Sequence, residues 1–270
     1  MKQAAVSLLR QTHLLPTVEA ARCAFSAIKS MPDNMAFRQE HPGLAFPPWP
    51  LMHDAFSHVQ YRSYFATGNV AAKAIAGLAA AFLGDGPITV CEWGCGPGRV
   101  IRHLPGLLPK ESKIFGTDYN SRSIAWCSAN LPGKYFINKL APPLPLEAGQ
   151  VDLLYAISIF THLSEAMHEE WLKELLRVVR PGGIILLTVH GDRCIAGLNA
   201  QERAAYQAGR LVVRGNVKEG SRIFVAYQSP RYMHETLLRG IEILAHNPEH
   251  LKTAIAGAQD VYVLRRPERL

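Results

Sequence analysis

Val90-Cys91-Glu92-Trp93-Gly94-Cys95-Gly96-Pro97-Gly98-Arg99 decides how the chain is read. The apolar run Ile88-Thr89-Val90-Cys91 is a short buried strand, ending in an acid and then three glycines at alternate positions. Pro97 and Val100-Ile101-Arg102-His103-Leu104 read as the start of a helix. Strand, glycine turn and helix make half of a nucleotide-binding unit, in which bare backbone turns tightly and comes close to a ligand. A dinucleotide fingerprint, G-x-G-x-x-G, fails from both possible starts, because its third glycine falls on Arg99 or Ile101. The P-loop pattern fails because no Gly-Lys-Ser/Thr follows. A carboxylate at the strand end, Glu92, would repel a pyrophosphate and suits a ligand carrying an ammonium group and a positive sulfur.

The spacing E-x-G-x-G-x-G resembles motif I of the class I S-adenosylmethionine (SAM) methyltransferases. That resemblance extends over about residues 70–190. Lys113-Ile114-Phe115-Gly116-Thr117-Asp118 is a second strand ending in an acid. The position of Asp118 suits the two hydroxyls of a ribose, although the same aspartate also suits the cap of a helix over 122–131. Lys134 to Asn138 is a third strand. In the family such an Asn meets the adenine amino group, with backbone of Lys139 and Leu140 beside it; a plain turn residue is the other reading of Asn138. Val151 to Ile157 is a near-continuous apolar run, as a central parallel strand requires. The string from Ile157 to Glu165, the amphipathic helix behind it and Pro181-Gly182-Gly183 are also similar to the family. Ile184 to Val189 is a fifth strand, and Ile241–Leu244 and Asp260–Leu264 are the last two.

The resemblance implies an α/β fold: a Rossmann-like, doubly wound, seven-stranded sheet, mostly parallel with an antiparallel last strand. Residues 1–69 form an N-terminal helical and proline-rich cap, and 70–270 the SAM-binding domain, with 192–228 as a variable substrate-side insertion. In the cap, residues 1–30 read as one or two helices, with Val6, Leu9 and Leu14 at helical spacing. The prolines of 31–50 argue against regular helix there, and 41–48 reads as an extended arm. Helices over 51–66 and 69–83 follow. Ligands of such sheets lie beyond the carboxyl ends of the strands. The resemblance therefore places Glu92, Gly94, Cys95, Gly96, Gly98, Asp118, Tyr119, Asn138, Lys139, Leu140 and Ser158 around SAM. The glycines admit backbone to its methionine part, and Glu92 acts on the ammonium through a water or a backbone N–H. His162 and then His190, each just past a strand end, are the candidates to take a proton from a hydroxyl or amine acceptor.

The expected function is methyl transfer from SAM to an O or N atom of a small-molecule or glycan-like acceptor. Two rivals remain: an RNA-binding or RNA-modifying protein of this fold, and a SAM-binding module without catalysis. The first draws only on a net charge of +7, which is spread through the chain rather than clustered. Five cysteines, two of them in the glycine turn, fit neither a disulfide framework nor a zinc site. No convincing signal peptide opens the chain, and no run approaches the roughly 18 apolar residues of a membrane span. The expected setting is a reducing cytoplasm, with no membrane partner and the oligomeric state open.

Overall fold

The computed structural model describes residues 15–269. Among the described residues nine strands follow in chain order: β1 Thr89–Trp93, β2 Lys113–Asp118, β3 Lys134–Ile137, β4 Val151–Ala156, β5 Val179–Val189, β6 Val212–Arg214, β7 Val225–Tyr227, β8 Glu242–His246 and β9 Asp260–Arg265. Seven of them form one sheet in the order β3-β2-β1-β4-β5-β9-β8, and β6 and β7 pair as a separate ribbon. All pairings among β1 to β5 are parallel, and β9 runs antiparallel to both of its neighbours. This is the Rossmann-like methyltransferase arrangement expected from the sequence. After β1 the chain builds toward β2 and later returns to place β4 on the other side. The crevice at that reversal is where ligands of such sheets bind.

Successive residues of a strand point to opposite faces, and both faces of this sheet are covered. Val90, Leu153, Tyr155, Leu186 and Val263 pack on one side with Ile75 and Ile101. Cys91, Trp93, Leu154, Leu187 and Tyr262 pack on the other with Trp171 and Leu175. That double burial is why β1 and β4 read as unbroken apolar runs.

The helices are α1 Leu15–Glu40, α2 Trp49–Phe56, α3 Tyr61–Leu83, α4 Ser121–Asn130, α5 Glu165–Val178 and α6 Ala200–Gln207. The positions Val6, Leu9 and Leu14 lie outside the described residues. Proline does not stop α1, which runs through Pro32 to Glu40. Tertiary contacts override the local preference: Asn34 donates to the Val59 carbonyl and accepts from the Tyr61 N–H (both 2.8 Å). Phe37 packs on Phe65 and Phe46, with ring centroids 5.6 and 6.1 Å away. Residues 41–48 are non-helical, as their prolines predict.

The expected break near Gly68 falls instead at 57–60, where Ser57 takes a left-handed φ of 64°. Gly68 lies inside α3, and residue 69 is therefore mid-helix, so cap and sheet domain share that element. A Cβ on Gly68 would stand 2.0 Å from the Arg99 carbonyl oxygen. The glycine permits contact between helices and turn, not a bend. Contrary to the sequence reading, α3 is long and apolar enough to cross a membrane, with mean hydropathy 1.4. In the fold its apolar face, including Tyr64, Phe65, Ala71, Ala72 and Ile75, is buried.

Behind the glycine turn the expected α-helix is a 3-10 helix, Ile101–Gly106. Pro105 explains this, since its ring would clash with the carbonyl four residues back. Arg180 to Gly183 do not stand between α5 and β5; the strand begins at Val179 and carries them. In the insertion α6 is held by a capping box between Asn199 and Glu202. Past the insertion, Ser229 opens one α turn, Pro230–Tyr232, continued by a π turn, Met233–Leu237.

Candidate active site

β1 delivers the chain at Gly94 into a turn pinned to the end of β2. The N–H groups of Gly94 and Cys95 both donate to the Thr117 carbonyl, at 2.7 and 3.0 Å. The Gly96 N–H donates to Asp118 Oδ2 at 2.8 Å. Gly94, Gly96 and Gly98 all have positive φ (77°, 50° and 77°), which favours glycine at each position. A Cβ on Gly96 would stand 2.9 Å from that of Ala55, so the turn lies directly under α2. The Cys95 side chain is buried in the core.

Glu92 braces this turn from below. Its Oε2 accepts from the Ile101 N–H at 3.1 Å and the Tyr155 hydroxyl at 2.9 Å. Burial is the largest influence on its carboxyl and pushes it up to about 8. That value lies above the 4.5 of an unfolded chain, so the group favours the folded state most at low pH. The benefit is lost as pH rises from about 4.5 toward 8. Glu92→Gln, which keeps an acceptor for both bonds, is expected to gain about 2–3 kcal/mol on the parent between pH 5 and pH 8. Urea melts at the two pH values measure this; a pH-independent difference would mean that Glu92 is ionised in the fold.

Above the turn lies a cleft of about 510 Å³. Glu92, Gly94, Cys95, Gly96, Asp118, Tyr119, Ser158, His162 and His190 all line it, whereas Gly98 does not and faces Leu131 and Cys127. A recess of about 50 Å³ beside it is lined by Asn138, Lys139 and Leu140, with Trp93, Leu163 and Trp171. Trp171 Nε1 donates to the Leu140 carbonyl at 2.9 Å and its ring lies 4.3 Å from that of Trp93, which fixes the apolar wall.

The site fits SAM on three observations. Asn138 Nδ2 donates to the Lys139 carbonyl at 2.7 Å, which leaves Oδ1 as a buried acceptor without a partner among the described residues. An unpaired buried acceptor is costly, and an amino group on a flat ring in the recess would satisfy it. Asp118 is not a helix cap, since Asn120 caps α4 through the N–H groups of Arg122 and Ser123. Its carboxylate, oriented by the Gly96 and Asn120 N–H groups, lies between recess and cleft with lone pairs left for hydroxyls. The glycine turn, finally, offers close backbone to a zwitterionic tail.

At the far end of the cleft the two histidines are held alike. His162 Nδ1 meets the Phe224 carbonyl at 2.7 Å, and His190 Nδ1 meets the Ala226 carbonyl at 3.0 Å. A carbonyl can only accept, so each Nδ1 carries the proton and each Nε2 keeps its lone pair. Burial lowers both: His162 below the usual histidine value and His190 to about 4. Both rings are therefore neutral bases near pH 7.

Ser158, with a left-handed φ of 64°, sits in a ring of bonds that the sequence did not announce. Its N–H donates to Thr188 Oγ1 (2.7 Å), Thr188 Oγ1 donates to Gln259 Oε1 (2.6 Å), and Gln259 Nε2 donates to Ser158 Oγ (2.7 Å). Thr188 and Gln259 stand at adjacent strand ends, and only the sheet order brings them to Ser158. Also missed were the rim contacts of α2. Asp54 Oδ2 accepts from Asn120 Nδ2 at 3.0 Å, and the Arg99 guanidinium lies 4.4 Å over the Phe56 ring. Arg222 reaches Ser57 Oγ at 3.5 Å.

Residues 90–183 match a methyltransferase domain family. Phthiotriol/phenolphthiotriol dimycocerosates methyltransferase 1 of Mycobacterium ulcerans is 29% identical over 159 residues, covering 53% of this chain and 56% of that protein. The tRNA N(3)-methylcytidine methyltransferase trm140 of Schizosaccharomyces pombe is 26% identical over 156 residues, covering 52% of this chain and 47% of that protein. The chain thus spans about half the length of the curated relatives it matches. A SAM-dependent methyltransferase structure from Methanosarcina mazei shares the fold, with a TM-score of 0.52 at 15% identity over 70% of this chain and 97% of that one. A seven-stranded sheet in this order, a glycine turn at its switch point and a methyltransferase-domain match over residues 90–183 are what this chain shares with the SAM-dependent methyltransferases.

Proposed function

We propose that the chain moves the methyl group of SAM to an oxygen or nitrogen atom of a small-molecule or glycan-like acceptor. When bound, SAM supplies an electrophilic methyl on a sulfonium that is already a good leaving group. The protein's part is then mostly positioning. Asn138 and the recess hold the adenine, Asp118 the ribose hydroxyls, and the Gly94–Gly98 turn with Ser158 the amino-acid end. Glu92, held by the Ile101 N–H and the Tyr155 hydroxyl, acts on the ammonium group through a water or a backbone N–H. His162 Nε2 takes the proton of the acceptor hydroxyl or amine, with His190 Nε2 as the second candidate.

The observation that carries this reading is the pair of neutral imidazoles in the wall of the cleft, each with Nδ1 tied to a carbonyl of the ribbon. Titration calorimetry with SAM, S-adenosylhomocysteine and NAD tests the cofactor side; binding of the first two and not the third supports it. Transfer of labelled methyl to a hydroxyl or amine acceptor tests the rest. Asp118→Ala is expected to weaken SAM binding by about 1–3 kcal/mol, the scale of bonds to a charged group. Unchanged affinity in a folded variant would remove the ribose assignment. An RNA acceptor is the second reading, supported by the +7 charge and the similarity to a tRNA methyltransferase over half of each chain. RNA binding that weakens steeply with salt would favour it.

A further inference from the structure

A second cavity, of about 490 Å³, adjoins the catalytic cleft on the cap side. That volume is within the roughly 300–1,000 Å³ of small-molecule sites. Ala20 and Cys23 of α1, Trp49, Pro50 and Leu51 at the start of α2, and Ile223 of the insertion give it apolar walls. Trp49 is 44% exposed, unusual for so large a ring. Asp54, Asn120 and Arg222 line both spaces and form the boundary between them.

The two spaces differ in chemistry. The cleft is lined by the glycine turn, carboxylates and imidazoles. The cap-side cavity adds His53, Arg122 and Ser221 to the three residues it shares with the cleft, and the rest of its lining is apolar. Across that boundary Asn120 Nδ2 donates to Asp54 Oδ2 at 3.0 Å and Arg222 reaches Ser57 Oγ at 3.5 Å, both at exposed positions. Exposed bonds of this kind contribute little, so a passing ligand displaces them readily. A sugar buried against Ala20, Trp49, Pro50 and Leu51 would leave hydroxyls without partners, which is costly; an alkyl chain or an aromatic ring would not.

Resting on the methyltransferase reading above, we infer that the acceptor is an amphiphile. Its apolar body lies in the cavity between α1 and α2, while its hydroxyl or amine passes Asp54, Asn120 and Arg222 to reach the histidines. This narrows the small-molecule or glycan-like class to acceptors with an apolar ring or chain.

The test uses the full chain, saturated with S-adenosylhomocysteine and titrated with 4-alkylphenols from methyl to octyl. Affinity is expected to rise by about two- to four-fold per added methylene, the factor that burying a CH₂ gives. Ala20→Trp, an exposed position whose enlargement fills the cavity, should flatten that dependence with no change in affinity for S-adenosylhomocysteine. Phe25→Asp, on the outer face of α1 and 71% exposed, should leave it intact. Affinity independent of chain length, with S-adenosylhomocysteine still bound, overturns the inference and leaves the methyltransferase reading standing. So does a slope that survives Ala20→Trp, or one lost equally in Phe25→Asp. Failure of S-adenosylhomocysteine to bind the parent chain overturns both.

Discussion

Gly68→Val is expected to destabilise the chain by about 4 kcal/mol, the upper range of overpacking, because the obstructing atom is main chain. A first side-chain carbon there would stand 2.0 Å from the Arg99 carbonyl oxygen and 3.0 Å from its carbon. A flexible side chain could swing away; this carbonyl is anchored in the segment that links the glycine turn to the 3-10 helix. The strain should reach the ligand too, since moving Arg99 moves the turn. Gly77, on the exposed side of the same helix, has nothing within 4 Å of such a carbon. Gly77→Ala should therefore stabilise by about 0.5–1 kcal/mol, the ordinary gain of alanine over glycine in a helix. Urea melts of both variants decide the matter. Similar stabilities would mean that α3 does not approach the turn as closely as described.

The second large effect is expected at His162. His162→Ala should lower kcat by about 10³-fold, within the 10²–10⁴ of a lost general base, while the SAM dissociation constant stays unchanged. The pH dependence has a definite sign. The base acts only when neutral, and burial holds its folded value below the usual 6.5. The parent rate should be flat through neutral pH and fall only at pH values below the usual histidine range. The residual activity of the variant should lack that acid limb. Should His190→Ala remove the limb instead, the roles of the two histidines exchange. If neither does, the acceptor reaches the cleft already deprotonated.

How far the sequence could be read follows from the range of the forces involved. The sheet was legible because strands buried on both faces leave long apolar runs, and because glycines with positive φ mark a turn that other residues resist. Residues tied to that turn by chain position alone, Asp118 and Asn138, were legible with it. The cap was not, because long-range packing decided it. Pro32 stays helical because Asn34 and Phe37 find partners on a later helix. Gly68 serves a contact with a residue far along the chain, and no local rule signals that. Thr188, Gln259 and Arg222 were invisible for the same reason. They meet the site only through the strand order and the return of the insertion.

The hold on the two histidines has a consequence for how such a protein changes over generations. Their Nδ1 partners are main-chain carbonyls, two residues apart along one edge of the ribbon. No codon change at residue 224 or 226 deletes a carbonyl. Val225, between them, lines the cleft. The ribbon can therefore drift in side chain, and so reshape the cleft wall, while proton placement on both imidazoles is inherited with the backbone path. Only a slip in the pairing of β6 with β7, such as a one-residue insertion or deletion would cause, disturbs both histidines at once. Imidazole placement and cleft lining, though they share three residues, are open to mutation by different routes.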